Sequence, residues 1–244
     1  MEDVIAAYQE AFASPFNVFL LVLMIGMLIF WWSAHFWQTP ERVRLRARFF
    51  SPKPTQILQK YCRSNDTRRK ILDFITPQVW LWGFILSIFI EFHICALQAG
   101  EAWRYGVATL LSWGTSMTIQ FMFPVIVPIR WDQFDKELPV IAIRLGNFKQ
   151  SDHVNGLLYN GLPSNHLGMM LVGVILSLVS FSRNPWPGYL FLLVFFIGIA
   201  LFFSFSVIYL GEHYVQDLIA SIFVFIPIMI LMLFILDFLF PLVS

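Results

Sequence analysis

Charge is scarce in this chain. Asp, Glu, Lys and Arg make up only 13% of its 244 residues, 58% are apolar, and the mean hydropathy is +0.71. So few polar groups cannot clothe a soluble globule, which excludes a soluble enzyme and leaves a membrane protein. Cysteine is nearly absent. Cys62 falls in a basic loop and Cys95 in an apolar segment, so no disulfide framework is expected. No basic region precedes the first apolar run, which at 22 residues is longer than a signal-peptide core, so it is expected to stay as a span. No acidic cluster suited to Mg²⁺ is present.

The chain does hold six apolar runs, at about Phe16–Trp37, Pro77–Leu97, Gly106–Ile129, Ser164–Phe181, Tyr189–Leu210 and Tyr214–Leu242. Each is long enough to cross a bilayer, and the Trp-rich end of the first suits a membrane interface. The expected fold is all-α: a polytopic integral membrane protein with a six-helix bundle. Residues 1–76 would supply the first span and a basic interfacial loop, and residues 77–244 a five-helix core. Ten of the sixteen Lys and Arg lie between residues 38 and 76. There Arg42, Arg44, Arg46 and Arg48 interleave with Val43, Leu45, Phe49 and Phe50, and Ile57, Leu58, Tyr61, Ile71 and Phe74 continue the apolar set. The pattern reads as short amphipathic helices on an anionic membrane surface or as a solvated basic loop, and poorly as a nucleic-acid patch. Inside the second run, Glu91 and His93 stand two residues apart on different faces, which favours separate structural hydrogen bonds over a shared catalytic role.

Two polar stretches interrupt the apolar sequence. In Gly211-Glu212-His213-Tyr214-Val215-Gln216-Asp217, a helix beginning near His213 would set His213 and Asp217 at i and i+4. The carboxylate could then hold Nδ1–H and leave Nε2 free, as in a positioned base or nucleophile. Capping and interface anchoring remain the alternative. In Gly161-Leu162-Pro163-Ser164-Asn165-His166-Leu167-Gly168, Pro163 suits a first helical turn, whose unpaired N–H groups would converge with Ser164, Asn165 and His166 on an anion.

Together these stretches resemble the second and third signature motifs of the type 2 phosphatidic acid phosphatase superfamily. The His-Tyr-x-x-Asp wording at 213–217 is similar to the branch containing inositol phosphorylceramide and sphingomyelin synthases. So is Phe123-Pro124-Val125-Ile126-Val127-Pro128-Ile129-Arg130-Trp131, a Pro-rich span with a terminal Arg. The resemblance implies a membrane enzyme for a phospholipid or lipid-phosphate substrate that needs no metal and no cofactor. His213 would be the nucleophile, Asp217 its orienting partner and His166 the acid for the leaving oxygen. Ser164, Asn165 and Arg130 would bind phosphate. The phosphatases' Lys, six residues, Arg-Pro motif is missing, and Val207 stands where they place an Arg six residues before the nucleophile. A site with fewer cations suits a monoanionic diester donor, which favours a phosphotransferase; Lys136, Arg144 or Lys149 could restore charge for a phosphatase. A lipid-binding scaffold that kept the fold is the non-enzymatic alternative.

Six spans would put Arg130, His166, His213, Asp217 and the basic loop on one membrane face. Fourteen Lys and Arg then lie on that face, against Arg104 and Arg183 on the other. The positive-inside rule sets the site in the cytoplasm and both termini outside, although many relatives work on the opposite face. Asn65-Asp66-Thr67 is a glycosylation sequon in the same loop. Cysteine labelling in a Cys62→Ala, Cys95→Ala background tests the orientation. Ser64→Cys should react only after permeabilisation and Ser244→Cys in intact cells; the reverse pattern would place the site outside.

Overall fold

The computed structural model describes residues 2–34, 51–97, 102–122 and 163–240, and every regular element among them is helical. In chain order these are α1 (Glu2–Ala13), α2 (Pro15–Ala34), α3 (Lys53–Arg63), α4 (Asp66–Gln78), a π-helical turn (Val79–Gly83), α5 (Phe84–Leu97), α6 (Ala102–Met122), α7 (Asn165–Arg183), α8 (Pro187–Leu210) and α9 (Val215–Leu239). Helices α4 and α5 form one rod through the turn. Pro77 lies inside it and has no N–H for the carbonyl four residues back, a defect that a widened turn directly after it absorbs.

Four helical segments are long and apolar enough to cross a membrane: Asp66–Leu97, Asn165–Arg183, Pro187–Leu210 and Val215–Leu239. Of the other two expected spans, α2 carries a shorter apolar segment, Pro15–Met27, and α6 is diluted by polar residues. The reason is visible in α6. Thr109, Ser112, Ser116 and Gln120 are all buried, so this helix turns polar side chains into the bundle instead of presenting an apolar surface all round. The last residues of the expected first, third and sixth spans lie outside the described residues.

Helix α7 is the hub, packed against α5, α6, α8 and α9. Its glycines make that closeness possible. A Cβ on Gly168 would stand 1.9 Å from the Phe225 ring of α9, and one on Gly173 would stand 2.3 Å from Phe196 of α8. Phe196, Phe225, Trp113, Met169 and Leu176 fill the main core, and Leu167, Met170, Phe203, Val207 and Leu218 form a second cluster nearer the polar end. At the opposite end, Arg183 donates to Asp237 at 2.6 Å and to the Tyr105 hydroxyl at 3.2 Å, and Arg104 approaches the same carboxylate. His93 is held by the Tyr8 hydroxyl of α1, a structural hydrogen bond.

Substituting Gly168→Ala should destabilise the bundle by about 1–3 kcal/mol, because the methyl would displace a buried aromatic ring. Gly26→Ala, which meets nothing within 4 Å, should stay within about 0.5 kcal/mol. Thermal unfolding in detergent checks both. Equal midpoints would show that α7 and α9 are not seated as closely as Gly168 implies.

Candidate active site

Helix α8 ends in a Schellman turn. Gly211 takes φ 77°, its N–H donates to Ile208 C=O at 3.1 Å, and the Glu212 N–H reaches back to Val207 C=O at 2.9 Å. Glycine is the residue that enters this left-handed conformation without a steric penalty. The turn delivers His213 and then Tyr214, which is extended, before α9 begins. Helix α9 therefore starts at Val215, two residues later than the sequence suggested, with Tyr214 as its N-cap.

Asp217 occupies the third position of α9, where its Oδ2 accepts the Tyr214 N–H at 2.9 Å and His213 Nδ1–H at 3.3 Å. One oxygen thus caps the helix and orients the imidazole. Asp217 Oδ1 is buried and accepts no hydrogen bond among the described residues. On the other edge of the ring, Nε2 is not free: it lies 3.1 Å from Ser164 Oγ. With Nδ1–H given to Asp217, Nε2 is the acceptor and the serine hydroxyl the donor. Ser164 is the N-cap of α7, and the same oxygen accepts the Leu167 N–H at 3.4 Å. Pro163 thus precedes the cap instead of opening the helix.

Backbone hydrogen bonds staple the two helix starts. The Ser164 N–H donates to Asp217 C=O at 3.3 Å, and the Ser221 hydroxyl donates to Ser164 C=O at 3.0 Å and lies 2.8 Å from Asp217 C=O. His166 follows on the first turn of α7, with its ring centroid 6.1 Å from that of His213. Trp80, Phe84 and Phe203 surround it at 5.9, 4.8 and 6.0 Å. Ser164, His213 and Asp217 are buried, and His166 alone of the four is half-buried. Burial, reinforced by the adjacent Asp217 charge, pushes the Tyr214 phenol above its ordinary range, so it stays protonated.

The structure brings His213, Asp217, Ser164 and His166 together. Asn165 turns the other way. Its side-chain amide donates to Gln120 Oε1 at 2.8 Å and its carbonyl accepts from the Ser116 hydroxyl, while Gln120 donates to Pro163 C=O at 3.3 Å. The side chain thereby anchors the start of α7 to α6. Arg130, Lys136, Arg144 and Lys149 lie outside the described residues. Val207 is wholly buried in the second apolar cluster.

A second polar group escaped the sequence reading. Gln59 of α3 donates to Tyr209 C=O at 2.7 Å, the Tyr209 hydroxyl donates to Asp73 Oδ1 at 2.6 Å, and Arg63 grips both Asp73 oxygens at 2.9 and 3.0 Å. This clamp fixes the last turn of α8, from which Gly211 and His213 follow. The signal was a polar stripe, Thr55, Gln59 and Cys62, on one face of α3; it is this stripe that is buried, while Ile57 and Tyr61 point outward.

Two histidines and a carboxylate thus meet at one end of an apolar helical bundle. A family model for the PAP2 superfamily matches residues 101–239, and the chain belongs to that superfamily. Membership places it among lipid phosphatases and phosphotransferases. No curated protein and no solved structure matches it.

If the clamp holds the loop, Tyr209→Phe should cost about 1 kcal/mol and Asp73→Ala about 2 kcal/mol of stability, the second removing a charge-assisted pair. Both should speed amide exchange at residues 207–214. Unchanged exchange there would mean that the α3–α4 pair supports only itself.

Proposed function

We propose that this protein is a lipid phosphoryl-transfer enzyme that works through a phosphohistidine and passes a phospholipid headgroup to a lipid hydroxyl, as the inositol phosphorylceramide synthase-like branch does. The observation that carries this reading is the continuous hydrogen-bonded line Ser164–His213–Asp217 with His166 beside it. A buried imidazole with Nδ1–H fixed on a carboxylate presents an Nε2 lone pair in one direction.

In the first step a substrate phosphate enters past His166, and the Ser164 hydroxyl turns from Nε2 to a phosphoryl oxygen. His213 Nε2 attacks phosphorus, and the bond to the leaving oxygen breaks as His166 delivers a proton to it. The imidazole of the phosphohistidine is now cationic. Asp217 stabilises it, and the unengaged Oδ1 is available to strengthen that contact. The first-turn N–H groups of α7, Ser164 and Arg130 hold the charge on the equatorial oxygens. Asn165 contributes by holding that first turn on α6. In the second step His166 takes a proton from the acceptor hydroxyl, the acceptor oxygen attacks phosphorus, and His213 leaves with its lone pair.

The lean towards a diester donor rests on Val207. A phosphomonoester dianion calls for more cationic stabilisation, and the position from which relatives extend an Arg is here a core hydrophobe. We place the site on the cytoplasmic face of a six-span bundle, with α3 lying against the membrane through Ile57 and Tyr61, both exposed, and α4 leading into the rod that crosses it.

Turnover of mixed phospholipids in detergent tests the proposal. Headgroup exchange onto a lipid alcohol is expected; release of inorganic phosphate would make the enzyme a phosphatase, and neither product would leave a lipid-binding scaffold. His213→Ala and His166→Ala should each lower turnover by at least about a hundred-fold without changing monodispersity. Rapid acid-free quenching should trap the phosphoryl headgroup on the wild type but not on His213→Ala. Substantial activity in either variant would rule out the phosphohistidine route.

A further inference from the structure

Helix α3 has two faces with different surroundings. Lys53, Ile57, Lys60 and Tyr61 follow one another at i, i+4, i+7 and i+8, and all four are exposed. Neither lysine makes an ion pair among the described residues. Thr55, Gln59 and Cys62 form the opposite, buried stripe. The outward face has a definite neighbour. A short turn at Ser64 and Asn65 joins α3 to the candidate span Asp66–Leu97, whose 32 residues extend about 48 Å at 1.5 Å per residue, against a hydrocarbon core of roughly 30 Å. Asp66, Arg68, Arg69, Lys70 and Asp73 are gathered at its start, so the surplus length lies at that end, level with the headgroups. There α3 packs beside α4 and against α8. Residues 53–73 carry six basic side chains and two carboxylates, so an anionic headgroup layer is the partner of complementary charge.

The inward face is tied to the loop that carries His213. Gln59 and Arg63 stand one helical turn apart, at i and i+4. Gln59 Nε2–H donates to Tyr209 C=O at 2.7 Å, and Arg63 holds Asp73, which accepts the Tyr209 hydroxyl at 2.6 Å. Successive turns of α3 thus secure both ends of one residue, and they reach it together only while α3 is helical. Tyr209 stands two residues before Gly211 and four before His213, whose N–H turns back to Val207 C=O at 3.4 Å. Helix α3 is too short to be self-sufficient: it has 11 residues, and Pro52 at its N-cap supplies no side-chain hydrogen bond. Its helicity depends on what its two faces touch, α8 on one side and the headgroup layer on the other.

We infer that α3 is a sensor of anionic membrane surface: seating Lys53, Ile57, Lys60 and Tyr61 on anionic headgroups completes the helix, and Gln59 and Arg63 pass that order to the loop bearing His213. This coupling rests on the reading of the site as a lipid phosphoryl-transfer centre and adds its regulation. The enzyme is then more active on an anionic surface than on a neutral one, through charges that never meet the reacting phosphate.

The test uses the full chain in phosphatidylcholine vesicles holding fixed small fractions of phosphatidylinositol, phosphatidic acid and diacylglycerol. Part of the phosphatidylcholine is replaced by cholesteryl sulfate, an anionic lipid with no phosphorus to transfer. The wild-type kcat/KM should then rise about three-fold or more, and the rise should fade at about 0.5 M salt. Lys53→Gln with Lys60→Gln should leave activity on the neutral vesicles unchanged and remove most of the rise. Tyr209→Phe should blunt the rise although both lysines remain. No rise or a fall in the wild type, an equal rise in the double lysine variant, or an undiminished rise in Tyr209→Phe would each overturn the coupling and leave the chemistry standing. Absence of turnover by the wild type on every lipid would overturn the chemistry, and amide exchange at residues 207–214 then judges the coupling. Exchange slowed by cholesteryl sulfate in the wild type but not in the double lysine variant upholds it; exchange that cholesteryl sulfate leaves unchanged, or slows equally in both, overturns it.

Discussion

Ser164 holds this site together through its backbone as much as through its hydroxyl. Its N–H and C=O are both spent on the first turns of α9, through Asp217 C=O and the Ser221 hydroxyl. Two helix starts that come from opposite sides of an apolar hairpin are thereby fixed at one level. In an apolar surround such bonds are costly to leave unmade, because the freed groups have no water to turn to. Once they are made, the Ser164 hydroxyl donates to the Nε2 of His213 while its oxygen accepts the Leu167 N–H. Asp217 reads the same constraint from the other side: it caps α9 and orients the ring with a single oxygen. The residue that orients the imidazole is also the residue that caps the helix.

The rest of the bundle serves that junction by keeping its polar groups in closed sets. Asn165, Ser116 and Gln120 tie α7 to α6; Gln59, Asp73, Arg63 and Tyr209 tie the α3–α4 pair to α8. At the far end Arg183, Arg104 and Asp237 form a third set. Between them lies core whose close approach depends on Gly168 and Gly173. Glu91 stands outside these sets, with neither carboxyl oxygen hydrogen-bonded among the described residues. We have no physical account of its retention.

The histidines differ in surroundings, and the difference matches a division of labour. His213 is enclosed by groups that fix its tautomer. His166 is ringed by aromatic faces and keeps some exposure, which suits the proton transfer to a substrate that we propose for it.

Membrane character, the order of the helices and the pairing of His213 with Asp217 were legible in the sequence, because each depends on local spacing: run length, the i and i+4 relation, and a glycine at the end of a run. The resemblance at residues 164–166 and 211–217 likewise pointed to the superfamily. What the tertiary structure decided is where polar side chains spend their hydrogen bonds. Sequence spacing left Nε2 free and sent Asn165 to the phosphate; packing gave Nε2 to Ser164 and turned Asn165 into α6. It also decided which face of α3 packs inward, the one carrying Thr55 and Gln59. Those outcomes hang on contacts between residues far apart in the chain, 45 positions for Asn165 and Gln120 and 150 for Gln59 and Tyr209. No local period encodes such distances.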